Sequence, residues 1–115
     1  MRLLITAGPT REHIDPVRFI SNRSTGKMGF ALAERAAARG HTVTLIAGPV
    51  ELATPAAVRR LDVVSAAEML DAVRAELPAA DALIIGAAVA DWRPRSIHPV
   101  KLKKREMSAT LELEP

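Results

Sequence analysis

The chain is 115 residues long, 49% apolar and 25% charged, a balance that excludes an unstructured polymer and fits one packed unit with a single core. It contains no cysteine, which excludes disulfides, thiolate metal sites and a cysteine nucleophile. The net charge of +3 is uneven: Arg93, Arg95, Lys101, Lys103, Lys104 and Arg105 share a stretch without an acid, and such a stretch is either an anion-attracting surface or a solvated basic loop.

From the N-terminus, the apolar run in MRLLITAGPTREH is too short for a secretion signal or a membrane span, which needs about 20 residues. A cytoplasmic location without a membrane partner is therefore expected. LLITA at 3 to 7 reads as a buried strand stopped by Gly8 and Pro9. A polar loop continues to Ser24, and the spacing of Met28, Ala31, Leu32, Arg35 and Ala36 predicts a helix ended by Gly40. HTVTLIAGPV repeats the strand at 41 to 47 and its AGP ending. Leu61, Val63 and Val64 suggest a short third strand, and Ser65 with Glu68 marks the start of a second helix. ADALIIGAAVADW supplies a fourth strand, apolar on both faces, that turns at Gly86 and Ala87. Apolar strands alternating with helices predict an α/β fold, a Rossmann-like three-layer sandwich around a mostly parallel sheet. Residues 92 to 107 are expected to form an extended, mobile flap, and ATLELE an edge strand. With no helix to cover that strand, the sheet is expected to be incomplete at the C-terminus, and residues 1–115 to be the N-terminal part of a larger domain.

In open parallel sheets, ligands bind beyond the carboxyl ends of the strands. STGKMG, at the head of the first helix, offers free backbone N–H groups and a positive dipole end to a phosphate, with Ser24, Thr25 and Gly26 on the approach. It matches neither the Walker pattern, because Ser21 and Met28 stand where Gly and a hydroxyl residue are required, nor the dinucleotide glycine pattern. Gly29 suits close packing of helix on sheet equally well. The amide of Asn22 can hold a substrate carboxylate or merely a turn. Arg18 and Arg23 can fork onto an anion or face solvent. Asp91, just beyond the fourth strand, suits a base, a ribose or a magnesium ion, or is an ordinary turn aspartate. Gly86 and Ala87 leave room for a flat ligand or for packing, and Trp92 reads as a partly buried anchor. Lys101 and Lys104 suit the neutralisation of a triphosphate, or simply keep the flap solvated. His13, His41 and His98 lack metal-site spacing.

Taken together, AGPTREHIDPVRFISNRSTGKMGFALAERAAARGHTVTLIAGP, AAVADWRP and KLKK resemble the phosphopantothenoylcysteine synthetase family over nearly the whole chain. That family forms the second half of the bifunctional coenzyme A biosynthesis flavoprotein. The resemblance implies a phosphopantothenate–cysteine ligase acting on 4'-phosphopantothenate and L-cysteine, with CTP as co-substrate and Mg2+. The pantothenate carboxylate attacks the α-phosphate of CTP, giving an acyl-cytidylate and pyrophosphate, and cysteine then displaces CMP. It further implies that Asn22 contacts the acyl-cytidylate and Lys101 serves its formation. Ile85, Gly86, Ala87 and Asp91 would recognise the nucleotide, Arg18 and Lys104 would support activity, and the metal ligands stay unassigned. A homodimer is implied, together with a phosphopantothenoylcysteine decarboxylase half, fused or associated, and no FMN on this chain. The family's pattern continues past Pro115 with an aromatic and two lysines, so full activity is not expected of these residues alone. Two other readings are weaker. A non-catalytic nucleotide- or nucleic-acid-binding module lacks stacking rings in a chain with 3% aromatics, and an NAD-dependent reductase lacks the glycine pattern and an acid after the second strand.

Overall fold

The computed structural model describes residues 1–106 and 110–115. The last residue of the expected flap, Met107, and the first of the expected edge strand, Ala109, lie outside the described residues. In chain order the elements are β1 (Arg2–Ala7), β2 (Arg11–His13), β3 (Phe19–Ser21), α1 (Lys27–Ala38), β4 (Thr42–Ala47), β5 (Val58–Asp62), α2 (Ala66–Glu76), β6 (Ala82–Ile85), β7 (Arg93–Pro94) and β8 (Leu113–Glu114). Short 3-10 turns lie at Leu77–Ala79 and Lys104–Glu106.

Strands β5, β4, β1 and β6 stand side by side in that order, all parallel. Because side chains alternate along a strand, β1 sends Ile5 and Ala7 to one face and Leu4 to the other. Phe30 and Ala33 of α1 cover Ile5, Ala7, Val43, Leu45 and Ala47. Met69 of α2 covers Leu4 and Ile46, with Leu83 and Leu61 beside them. The three layers are those the alternation of strands and helices predicts. The α2 start is also as read: Ser65 Oγ accepts from Glu68 N at 3.1 Å, and Glu68 Oε2 accepts from Val64 N at 2.9 Å.

The structure departs locally from these expectations at five points. β5 begins at Val58, three residues before Leu61, and ends before Val63 and Val64. It is an edge strand whose charged side chains find local partners, Arg59 on Glu76 at 2.7 Å and Arg60 on Asp62 at 2.8 Å, so apolar residues alone misplace it. Among the described residues β6 forms the opposite edge, paired only with β1, and its Ile85 is 71% exposed rather than covered. The stretch read as a loop up to Ser24 holds a hairpin, β2 against β3, from Arg11 opposite Ser21 to His13 opposite Phe19. The flap is tied at its start: β7 pairs antiparallel with β8, and Arg93 and Arg95 meet Glu114 and Glu112 at 3.3 and 3.1 Å. Among the described residues of ATLELE, Leu113–Glu114 is strand, and it lies on β7 rather than on the main sheet.

Gly29 settles how α1 meets β1. A Cβ there would overlap Ala7 Cβ and stand 3.1 Å from Ala7 Cα and 3.2 Å from Thr6 O, so the first turn of the helix rests directly on the strand end. Gly29→Ala is expected to cost about 1–3 kcal/mol by overpacking, seen as a lower urea midpoint at unchanged slope.

Candidate functional site

The carboxyl ends of β1, β4 and β6 meet the start of α1. Gly26, the residue before α1, has φ 79°, a left-handed conformation that a side chain disfavours, and no side chain caps the helix. The backbone N–H groups of the first turn are therefore largely unclaimed; Lys27 N makes only a 3.4 Å contact with Thr25 Oγ1. Beside them lies a cavity of about 510 Å³ lined by Arg11, Ser24, Thr25, Lys27, Val50 and Glu51 among others. Two cations, two hydroxyls and a helix N-terminus suit an anionic ligand.

The loop after β6 is zipped to the loop after β1. Gly86 N donates to Thr6 O at 2.9 Å, Ala88 N to Gly8 O at 2.9 Å and Ala90 N to Thr10 Oγ1 at 3.1 Å. Thr6 and Thr10 are buried, and their hydroxyls serve this loop, Thr6 Oγ1 accepting from Ala87 N at 3.4 Å. A Cβ on Gly86 would stand 3.6 Å from Gly29 Cα, which places Gly86 between the end of β1 and the head of α1. Asn22 joins the same loop from the hairpin, its Nδ2 donating to Ala88 O at 3.1 Å and Val89 O at 3.3 Å. Two carbonyl acceptors assign Nδ2 to this side of the amide, and Oδ1 has no partner among the described residues.

Asp91 lines a different cavity, about 230 Å³, with Glu12, Leu70 and Trp92, and Trp92 is 54% exposed. Neither Asn22 nor Lys101 lines either cavity. The side chains of Lys101, Lys103, Lys104 and Arg105 form no ion pair among the described residues, whereas Arg93 and Arg95 are paired. Asn22 and Lys101 are linked instead through the hairpin: Asn22 follows β3, and the residue after Lys101 docks on the hairpin tip.

That dock is built by a residue the sequence does not single out. Asp15 is fully buried and accepts from Val17 N at 2.8 Å, Arg18 N at 2.7 Å, Arg18 Nη1 at 2.9 Å and Leu102 N at 3.2 Å. Arg18 Nη1 also donates to Leu102 O at 3.1 Å, so Arg18 is engaged with the flap. Burial pushes the Asp15 carboxyl up, but hydrogen bonds from Arg18, Val17 and Leu102 outweigh it and lower it from 3.8 to about 2. A depressed native pKa means that the stability Asp15 contributes is fully present above about pH 4 and is lost as pH falls through about 2. The Asp15 carboxyl resonance is expected to titrate near pH 2; a midpoint at the ordinary value would contradict the burial and bonding described. Glu12, also buried, accepts from Ala66 N at 3.1 Å at the head of α2. A lone Asp before Pro16 and a lone Glu in a polar stretch carry no pattern that would reveal either role.

Among the described residues no helix is long and apolar enough to cross a membrane, and no group of three or more His, Asp or Glu could hold a metal.

The model of the DNA/pantothenate metabolism flavoprotein C-terminal domain matches residues 1–115. The chain belongs to that family. It is 54% identical over 113 residues to the coenzyme A biosynthesis bifunctional protein CoaBC of Vibrio cholerae, covering 98% of this chain and 28% of that protein. To the protein of the same name from Escherichia coli K12 it is 54% identical over 105 residues, covering 91% and 26%. A crystal structure of the C-terminal domain of CoaBC superposes with a TM-score of 0.84 at 48% identity, covering 98% of this chain and 52% of that one. The chain thus spans about a quarter of the length of these curated relatives. Membership of the DNA/pantothenate metabolism flavoprotein C-terminal family agrees with the resemblance to phosphopantothenoylcysteine synthetases read from AGPTREH, AAVADWRP and KLKK.

Proposed function

We propose that this chain is the nucleotide-facing part of a phosphopantothenate–cysteine ligase that uses CTP in coenzyme A biosynthesis. One observation carries the reading: the Asn22 amide clamps the loop after β6 beside an uncapped helix N-terminus, at the ends of parallel strands. Such a rim presents donors where phosphate charge must be balanced. In this reading the first turn of α1, with Ser24, Thr25 and Lys27, receives an anionic group. Ile85, Gly86, Ala87 and Asp91 border the nucleotide, and Lys101, supported by Lys104, balances charge on the triphosphate.

The chemistry needs positioning more than acid–base work. A pantothenate carboxylate oxygen bonds to the α-phosphorus as the bond to pyrophosphate breaks. The cysteine amine then bonds to the activated acyl carbon, CMP leaves, and the amine proton is lost to solvent. With no group of three or more metal-binding side chains among the described residues, magnesium would be held mainly through the nucleotide's phosphates, with a carboxylate such as Asp91 beside them. A homodimer, a decarboxylase half carrying its own flavin, and a longer synthetase domain belong to the same proposal. Calorimetry with CTP and magnesium, alongside ATP and NAD, on this chain and on a longer piece tests it. Selective CTP heat is expected, and its absence from both pieces would sink the reading.

A further inference from the structure

We propose that Asp15 is a positioning residue that, together with Arg18, latches the flap at Leu102 and thereby sets where Lys101 stands. Both main-chain polar atoms of one flap residue are captured by one ion pair: Leu102 N donates to Asp15 Oδ2 at 3.2 Å, and Leu102 O accepts from Arg18 Nη1 at 3.1 Å. Asp15 Oδ1 is held by Val17 N and Arg18 N, Oδ2 by Arg18 Nη1 at 2.9 Å, and the carboxylate is wholly shielded from solvent. A second tie nearby, His98 N to Ile14 O at 2.9 Å, keeps the flap against the same hairpin tip. A buried carboxylate with every oxygen engaged does not present itself to a substrate; its available action is on the segment it holds. The adjoining Lys101 has a solvent-exposed side chain. The four residue-to-residue steps from Arg18 to Asn22 span about 13 Å of extended chain, so the hairpin acts as a ruler between the docked flap and the Asn22 clamp. The consequence for Lys101 rests on the functional reading above; the latch does not.

Hydrogen exchange at the Leu102 amide tests the latch directly, with the β1 amides as internal reference. Asp15→Asn is expected to speed Leu102 exchange about tenfold, the factor for one ordinary hydrogen bond, while β1 stays protected. Arg18→Gln, which keeps the carboxylate, is expected to speed it about threefold. Unchanged Leu102 exchange in folded Asp15→Asn overturns the latch. If that variant loses β1 protection, unchanged exchange in Arg18→Gln overturns it instead. In the complete enzyme, the losses from Asp15→Asn and Lys101→Gln are expected not to multiply, because a latch acting through Lys101 has nothing left to position in the double variant. Multiplying losses would mean a general structural role and overturn the positioning claim. A wild-type enzyme that does not consume CTP defeats the functional reading, and Leu102 exchange then decides the latch alone.

Discussion

Asn22→Ala in the complete enzyme is expected to slow condensation about a hundredfold or more and to let acyl-cytidylate accumulate. The variant removes two donations that hold the loop after β6, to Ala88 O and Val89 O, and the unpartnered Oδ1 as well. The backbone ties of Gly86 and Ala88 remain, so the fold survives while the clamp is lost. Under the proposed function CTP is still consumed, because the groups proposed to balance its charge are untouched. Cysteine then meets an intermediate that is no longer held in line, and a small misplacement of reacting atoms is costly. Rapid quench with CTP labelled in the α-phosphate reads the accumulation directly. Product at the wild-type rate with no intermediate would remove Asn22 from the mechanism.

Lys101→Gln is expected to act one step earlier, lowering acyl-cytidylate formation by about a hundredfold to a thousandfold, so that no intermediate appears. Glutamine keeps much of the length and some hydrogen bonding but not the charge, and the charge is what an attacking carboxylate and a leaving pyrophosphate need beside them. No acidic side chain among the described residues competes for Lys101, which leaves its ammonium free for an incoming anion. Pyrophosphate release is the measurement, and an unchanged burst would refute the assignment.

The central layers could be read from residues because their signals are long: six-residue strands such as RLLITA and TVTLIA, and a helix whose apolar spacing persists over three turns. The Ser65 and Glu68 pair is legible for a different reason, being a local device with a fixed spacing. Gly29 carried two meanings in the sequence, and the contact with Ala7 decides that its missing side chain makes room for the sheet. The hairpin was not legible, since REH and FIS are too short to display alternation. The start of β5 was hidden by Arg59 and Arg60, charges that an edge strand tolerates and a buried one would not. The role of Asp15 has no local signature, because its partner Leu102 lies 87 positions away and nothing local in a single sequence reports a contact at that separation.

A short surface ribbon usually tolerates changes in length, but this one grips a different part of the chain at each end. One residue inserted into Phe19–Ser21 would push Asn22 along by about 3.4 Å and turn its amide to the other side of the strand. The tip would keep its hold on Leu102 while the far end released Ala88 and Val89. Gaps should therefore be scarce between Asp15 and Asn22 in functional members of this family, although the segment lies at the surface.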